Sequence, residues 1–202
     1  MPKIDDVQRA RRRQSLLDAA RVAVARDGWR NLTVDQVCSV AGASKGMFYT
    51  YFERKEDLLE ALLDEESAAL DAVMAELDES AGSPVARLRG FVRAILERGQ
   101  DPLHVQVQAD LWSELRNDPA LARRFANQAA SRRRHVASWI TQAVEGGELE
   151  AVPANALAAI VLALSDGLML YFAIDPAAFK WANVRRAVDA VLDGLAPQPP
   201  SS

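Results

Sequence analysis

The stretch of sequence that decides the fold lies at residues 33–55, TVDQVCSVAGASKGMFYTYFERK. Thr33 is a good helix N-cap, and Gln36 three residues later completes the pattern of a capping box. Four apolar residues then recur at helical spacing and give the first helix one apolar face: Val34, Val37, Cys38 and Ala41. Gly42 ends this helix, because glycine readily adopts the left-handed conformation that residues with a Cβ resist.

A second short helix is predicted directly after this turn. Ser44 can cap it, and Phe48 and Phe52 lie four residues apart, so both can point inward. The other faces of this helix carry Lys45, Met47 and Tyr49. Two helices joined by a glycine-containing turn, the second with a polar and aromatic outer face, predict a helix-turn-helix.

The same residues resemble the DNA-binding helix-turn-helix of the TetR (tetracycline repressor) family of bacterial transcriptional regulators. The matching residues are Thr33, Ala41, Gly42, Ala43, Ser44, Gly46, Phe48, Tyr49, Thr50, Tyr51, Phe52, Lys55, Leu58 and Leu59. Upstream, residues 16–20 and Gly28-Trp29 resemble the first helix of the family and its end. Val24 departs from the family pattern, which usually has phenylalanine there, and is a smaller core residue.

The resemblance implies which residues contact DNA. Phosphate contacts at helix ends are expected from Thr33, Ser44, Tyr51 and Lys55. The residues expected to face the major groove are Lys45, Gly46, Met47, Tyr49 and Thr50. Lys45 can donate to guanine O6 and N7, and Met47 or Tyr49 can pack on a thymine methyl group.

The charge distribution supports DNA binding by the N-terminal part. Residues 1–55 carry 11 Lys/Arg against 6 Asp/Glu, whereas the whole chain has a net charge of −4. A solvated charge run would also explain this excess, but Arg9 and residues 11–13 lie just ahead of the first helix and flank the motif. Because contacts to phosphate supply much of the affinity for DNA, a basic head on an acidic body favours the DNA-binding interpretation.

The cysteine content and the start of the chain indicate an intracellular protein. Cys38 is the single cysteine of the 202 residues, so no internal disulfide can form. The chain does not open with a charged and then apolar signal segment. We therefore expect a cytoplasmic protein.

The rest of the sequence predicts further helices and an all-α fold, because no segment alternates with the period of a strand over a useful length. The expected organisation is a DNA-binding domain at residues 1–55 and a connecting helix at 56–79. A ligand-binding and dimerisation domain at 80–196 and a disordered tail at 197–202 follow. Pro84 fits the first position of a new helix after the break at residues 79–83.

Residues 154–174 are almost wholly apolar, and their length requires that a membrane span be considered. Asp166 in the middle would be costly in lipid, and no basic flank accompanies the segment. A helix that is apolar all round can instead be buried on all sides. Residues 183–195 repeat Val184, Val188, Val191 and Leu195 and predict a continuous seam. The family resemblance implies a homodimer in which these last two helices form a four-helix bundle, with no membrane contact.

Three other interpretations of short motifs are weaker. Residues 42–46 match the G-x-S-x-G nucleophile elbow, but that elbow follows a strand and here a capped helix precedes it. His104, His135 and Cys38 lack the close spacing of metal ligands. Cys38 on an apolar face indicates core rather than a redox sensor. No catalytic, metal or cofactor site is expected.

The predicted function is that of a dimeric repressor that binds a palindromic operator and is released by a small molecule taken up by residues 84–174. The large, inward-facing and polar candidates for the ligand pocket are Phe91, Trp112, Phe125, His135, Trp139, Asp166 and Met169. Plain core packing explains any one of them equally well. One arginine of residues 132–134 can also face a cavity, because adjacent helix positions lie about 100° apart. A DNA-binding regulator or activator without a ligand remains the alternative.

Overall fold

The computed structural model describes residues 2–197, and within them all regular structure is helical, which confirms the all-α prediction. The tail predicted at residues 197–202 lies outside the described residues except for Pro197. The α-helices of the described residues are α1 (Pro2–Asp27), α2 (Val34–Ala41), α3 (Lys45–Tyr51), α4 (Lys55–Glu79), α5 (Pro84–Arg98), α6 (Pro102–Leu115), α7 (Pro119–Glu145), α8 (Ala154–Ile174) and α9 (Trp181–Asp193). Short 3₁₀ turns lie at Trp29–Asn31 and Pro176–Ala178.

The chain divides into two compact units. The first unit comprises Met1–Ser67 with Gln106–Ala122, and the second comprises Ala68–Val105 with Arg123–Ser202. The boundary between the units near residue 67 lies inside α4, and the boundary near residue 105 lies inside α6. The segment 106–122 thus belongs with the N-terminal helices, although residues 68–105 separate it from them in the sequence.

Local capping interactions set the ends of α2 and α3 as the sequence predicts. The Thr33 hydroxyl accepts a hydrogen bond from the Gln36 backbone N–H at 3.2 Å, and the Gln36 side chain accepts from the Thr33 N–H at 2.7 Å. Gly42 ends α2 with φ 63° and ψ 33°, a conformation that favours glycine. The Ser44 hydroxyl accepts from the Met47 N–H at 3.1 Å. The predicted capping box and the glycine turn are therefore confirmed.

The turn between α1 and α2 is held by side chains from α4 and α6 of the first unit. Gly28 has φ 79°, and the buried Trp29 follows it. The Trp29 N–H donates to Asp110 Oδ2 at 2.8 Å, and the Trp29 carbonyl accepts from Lys55 Nζ at 3.1 Å. The same ammonium lies 4.9 Å from the centroid of the Trp29 ring. Both backbone polar groups of this residue are thus paired with side chains distant in sequence.

A buried aromatic pair on α5 and α7 lies at the centre of the second unit. Phe91 and Trp139 meet edge to face with ring centroids 5.9 Å apart, and both side chains are fully buried. The Trp139 indole Nε1 donates to Asp78 Oδ1 at 2.7 Å, and Asp78 Oδ2 lies 2.7 Å from His135 Nε2. One carboxylate near the end of α4 therefore binds two residues of α7.

Helix α8 has one buried face and one exposed apolar face. By length and composition alone it could cross a membrane. Ala158, Val161 and Ser165 are buried. The large exposed side chains of α8 are Ile160, Leu164, Leu170, Tyr171 and Ile174. At about 100° per residue, four of these five, Leu170 excepted, fall within about 80° of one another around the helix.

The predicted seam along α9 is only partly an outer surface. Val184, Val188 and Leu195 pack against the core of their own chain, whereas Val191 is exposed. The intermolecular seam stays a prediction, in which Val191 is the large apolar side chain that the single chain leaves exposed. The spacing of the four residues gives one apolar face, and that face first covers the core of the second unit.

Candidate functional site

Helix α3, the second helix of the predicted helix-turn-helix, has a buried face and an exposed one. Phe48 is fully buried and Phe52, which ends the helix, is nearly so; their ring centroids lie 5.6 Å apart. Tyr49 lies on another face, with 55% of its side chain exposed, and its ring meets Phe48 edge to face at 5.3 Å. Tyr49 is therefore free to contact another molecule, while the buried Phe48 keeps the helix in place.

The other residues predicted to face the major groove are distributed around α3, since Met47 lies about 160° from Lys45 around the helix. Lys45, Gly46 and Thr50 are exposed, and Met47 is half-buried. The Thr50 hydroxyl donates to the Gly46 carbonyl at 2.9 Å, so its oxygen lone pairs and methyl group remain available. Lys45 Nζ lies 2.8 Å from Asp35 Oδ1 of α2. The pairing with Asp35 was not predicted from the sequence, because spacing within one helix does not show contacts to another.

The residues predicted to bind phosphate have different surroundings. Thr33 and Ser44 are exposed, and their hydroxyl oxygens already cap α2 and α3. Tyr51 is half-buried. Lys55 is half-buried and donates to the Trp29 carbonyl, so it also has a structural role. The Arg13 guanidinium lies 5.3 Å above the Phe52 ring and places positive charge beside α3.

The ligand-pocket candidates are not alike in their surroundings. Phe125 and Met169 are half-buried, and His135 contacts both Asp78 and the Trp139 ring. Phe91 and Trp139 form the buried pair at the centre of the second unit. These six candidates, Phe91, Phe125, His135, Trp139, Asp166 and Met169, belong to the second unit, whereas Trp112 belongs to the first.

Trp112 does not face inward as expected, since 43% of its side chain is exposed. Helix α6 buries Val107 and Leu115 instead. Trp112 follows Val107 by five residues. At about 100° per residue, the two side chains therefore point about 140° apart around the helix. The sequence could not show which side of α6 is covered, because apolar residues lie on several of its faces.

A group of charged side chains lies in the second unit around α7 and α8. Arg132 is largely buried, with its Nε 3.5 Å from Asp71 Oδ1, whereas Arg133 and Arg134 are exposed. Burial raises the pKa of Asp166 to about 6, and the positive charge of Arg132 opposes part of that rise. The prediction that the three arginines do not share one face is confirmed. Sequence reasoning did not single out Asp71 and Asp78, because the pattern shows only that they lie on an amphipathic helix.

Metal coordination finds no support among the described side chains. No group of three or more His, Cys, Asp or Glu residues is placed there to hold a metal ion. Cys38 is buried, and burial is the largest cause that raises the pKa of its thiol. Residues 42–46 span the turn after α2 and the start of α3, so the strand that a nucleophile elbow requires is replaced by α2.

Comparison with known proteins agrees with this arrangement. Residues 16–62 match the profile of bacterial regulatory proteins of the tetR family, and residues 84–197 match the profile of the BetI-type transcriptional repressor C-terminal domain. The chain belongs to the TetR family of transcriptional regulators. It is a transcriptional repressor of the TetR/BetI type. Members of this family are regulators that bind DNA and are not enzymes.

Individual TetR-family relatives cover nearly the whole chain. The transcriptional regulator BetI of Cronobacter sakazakii is 34% identical over 193 residues, which cover 92% of this chain and 90% of that protein. A transcriptional repressor of Mycobacterium tuberculosis is 25% identical over 84% of this chain and 86% of its own length. A TetR transcription regulator from Haloarcula marismortui has the same fold, with a TM-score of 0.82 and 19% identity, and the match covers 93% of this chain and all of that one.

The two faces of α3 predict opposite effects of two neighbouring substitutions. Tyr49→Ala should lower DNA affinity by about 1–3 kcal/mol, because one contact in the groove is lost, and should lower stability by only about 0.5–1.5 kcal/mol, because its ring contact with Phe48 is lost. Phe48→Ala should instead destabilise the protein by about 3–5 kcal/mol, because it opens a cavity. Fluorescence anisotropy of a labelled duplex and thermal unfolding measure the two effects. Wild-type DNA affinity in both variants would contradict the assignment of α3.

The surroundings of Asp166 predict how stability depends on pH. Burial raises the pKa of Asp166 to about 6, whereas the carboxyl of the unfolded chain has its ordinary value of 3.8. Between these values the folded state binds more protons, so this group lowers the free energy of unfolding as pH rises. Asp166→Asn should therefore be more stable than wild type at pH 7.5, by about 1–3 kcal/mol, with a difference that shrinks toward pH 4.

Urea unfolding between pH 4 and pH 7.5 measures this dependence. The exposed carboxyl of Asp189 on α9 provides a control, since Asp189→Asn should change stability little at any pH. A difference between Asp166→Asn and wild type that stays constant over this range would contradict the prediction.

Proposed function

We propose that this TetR-family repressor binds a palindromic operator as a homodimer in the cytoplasm and that a small-molecule effector in the second unit releases it. The observation that carries the proposal is the outer face of α3. There, Lys45, Tyr49 and Thr50 are exposed on a helix whose other face is fixed by the buried Phe48. A recognition helix needs this combination of a rigid position and free polar groups.

The proposed contacts divide the surface of the helix-turn-helix into two sets. Thr33, Ser44, Tyr51 and Lys55 bind phosphate groups and so set the position of the head on the duplex. Base edges in the major groove are contacted by Lys45, Gly46, Met47, Tyr49 and Thr50. Gly46 has no side chain, so the backbone of the first turn of α3 can approach the DNA closely.

The exposed face of α8 supports the proposed homodimer. Ile160, Leu164 and Tyr171 are large, apolar and exposed, and they lie on one side of the helix. A continuous apolar stripe of this kind marks an interaction surface. A second copy of α8 would cover it, with α9 contributing Val191, and the two α8–α9 pairs would form the four-helix bundle that the family resemblance implies.

The proposed effector site lies among the six candidates of the second unit, with the charged group of Arg132, Asp71 and Asp166 close to α7 and α8. Apolar rings and a few polar groups are the usual lining of a small-molecule site. Asp78 contacts His135 and Trp139, so an effector that shifts these two side chains acts directly on α4. Helix α4 begins at Lys55, whose ammonium is bonded to Trp29.

These contacts give a physical route for release. A rearrangement at the Asp78 end of α4 can be transmitted along one continuous helix to Lys55. Because two recognition helices must match half-sites one helical turn or a multiple of it apart, a small displacement of each head lowers operator affinity.

The homodimer is tested by placing a charge on the exposed face of α8. Ile160→Arg should shift the protein from dimer to monomer in sedimentation, because an unpaired charge in a dry interface is very unfavourable. Operator affinity should fall together with dimerisation, since a single head makes half the contacts. Val22→Arg is the matched control, because Val22 on α1 is also exposed and should leave the dimer intact. A wild-type protein that sediments as a monomer at micromolar concentration would contradict the proposal.

Effector release is tested by titrating a panel of small metabolites against the free protein and against its complex with a labelled operator duplex. A releasing compound should lower operator affinity about 5–150-fold, and the operator must weaken binding of that compound by the same factor. Tryptophan fluorescence follows compound binding, and anisotropy of the duplex follows release. Asp78→Ala should still bind the compound but release DNA less.

The outcome of this titration separates the two candidate functions. A compound that binds the free protein and the complex equally is not an effector. If every compound that binds the free protein behaves in this way, a DNA-binding regulator without a releasing ligand is the better description.

A further inference from the structure

An ion pair joins the two helices of the helix-turn-helix on their exposed side. Lys45 Nζ, in the first residue of α3, lies 2.8 Å from Asp35 Oδ1 in the first turn of α2. The two side chains are 61% and 67% exposed. Exposed ion pairs contribute about 0–1 kcal/mol to stability, so this contact stabilises the fold only slightly.

The position of the pair places it on the surface that faces DNA. Lys45 and Tyr49 are one turn apart on α3 and share its exposed side, away from the buried Phe48. The hydrogen bond from Lys45 to the Asp35 carboxylate raises the pKa of the Lys45 ammonium, and the negative charge of Asp35 adds to this rise. Lys45 therefore stays protonated and directed toward α2.

The chemistry of the pair matches one base pair. The Lys45 ammonium has three protons and uses one for Asp35, so two remain for guanine O6 and N7. Asp35 Oδ2 remains able to accept a hydrogen bond, and cytosine N4 is the donor that carboxylates bind in the major groove. A donor and an acceptor held side by side thus complement the O6 and N4 groups of a G·C pair.

We propose that Asp35 and Lys45 act as one recognition unit that selects a G·C pair in each half-site. Asp35 accepts from cytosine N4 and holds Lys45 toward guanine O6 and N7. This inference rests on the proposed binding to an operator and adds its sequence preference at one position. Asp35 is thereby a specificity-determining residue that lies on α2, outside the recognition helix.

The same pair disfavours other sequences. In place of a G·C pair, an A·T pair presents thymine O4, an acceptor, to the Asp35 carboxylate and adenine N6, a donor, to the Lys45 ammonium. The first contact would then bring two acceptors together and the second two donors. On non-specific DNA the neutral pair adds little attraction to phosphate, whereas a lone lysine would add affinity for every sequence.

Selection from a pool of randomised duplexes tests the proposal. The full-length wild type, Asp35→Ala, Lys45→Ala and the double variant are compared. Wild type should enrich a motif with a G·C pair at a fixed position in each half-site. Each single variant should flatten the preference at that position, from roughly 5–150-fold toward none, and the double variant should flatten it no further.

Two further variants separate this effect from charge and from folding. Glu53→Gln removes one exposed negative charge elsewhere in the first compact unit. It should raise affinity for all duplexes without changing the motif. Asp35→Asn keeps the size of the side chain and is accepted near a helix start. Because its amide both donates and accepts, it should tolerate A·T at the selected position. Thermal unfolding checks that each variant is folded.

The possible results are distinct. If Asp35→Ala and Asp35→Asn keep the wild-type preference at every position, or if Asp35→Ala and Lys45→Ala flatten different positions, the recognition unit is overturned. If the wild type enriches a motif without any such G·C pair, the unit is overturned while operator binding stands. If the wild type enriches no motif at all, the proposed operator binding fails and the inference fails with it.

Discussion

The position of the helix-turn-helix depends on how Trp29 is held. Its N–H is bonded to Asp110, its carbonyl to Lys55, and its ring is buried beneath the Lys55 ammonium. A buried backbone group that loses its partner costs about 1–3 kcal/mol, so these contacts fix one conformation of the turn. Thr33 sets the residue at which α2 begins, whereas these side chains of α4 and α6 hold the turn that leads into it.

Asp78 has a comparable role in the second unit. Its two carboxylate oxygens pair with the Trp139 indole and with His135, next to the fully buried Phe91. The side chains of Asp78 and His135 are 40% and 39% exposed, so the carboxylate lies at the surface, and without it the N–H of the buried Trp139 indole would lose its partner. Helix α4 thus has specific polar contacts at both ends, at Lys55 and at Asp78. The release mechanism proposed above depends on these two sets of contacts.

The sequence predicted the helix-turn-helix well because its signals are local. Thr33 and Gln36 are three residues apart, Gly42 adopts the left-handed conformation by itself, and the Phe48 and Phe52 spacing fixes the buried face of α3. Each of these features depends on neighbours along the chain. Local energetics therefore decided the structure, and the sequence pattern was sufficient to predict it.

The features that the sequence missed depend on contacts between distant segments. Asp110 lies 81 residues from Trp29, and Asp78 lies 61 residues from Trp139. Helical periodicity shows that a residue is polar and outside an apolar stripe, but not which helix it meets. For the same reason the valines of α9 indicated an apolar face without showing that Val188 covers the core of its own chain. The wrong orientation expected for Trp112 has this origin too.

Helix α8 shows what such a pattern can and cannot determine. A helix that is apolar on all sides must be covered on all sides, whether by its own chain, by another chain or by lipid. The second unit covers Ala158, Val161 and Ser165, and leaves Ile160 and Tyr171 exposed. In the proposed dimer, a second copy of the chain packs on that face and supplies the recognition helix for the second half-site. The proposed dimer would account for the apolar composition of α8, which by itself also fits a membrane span, and the same contact would set the distance between two recognition helices.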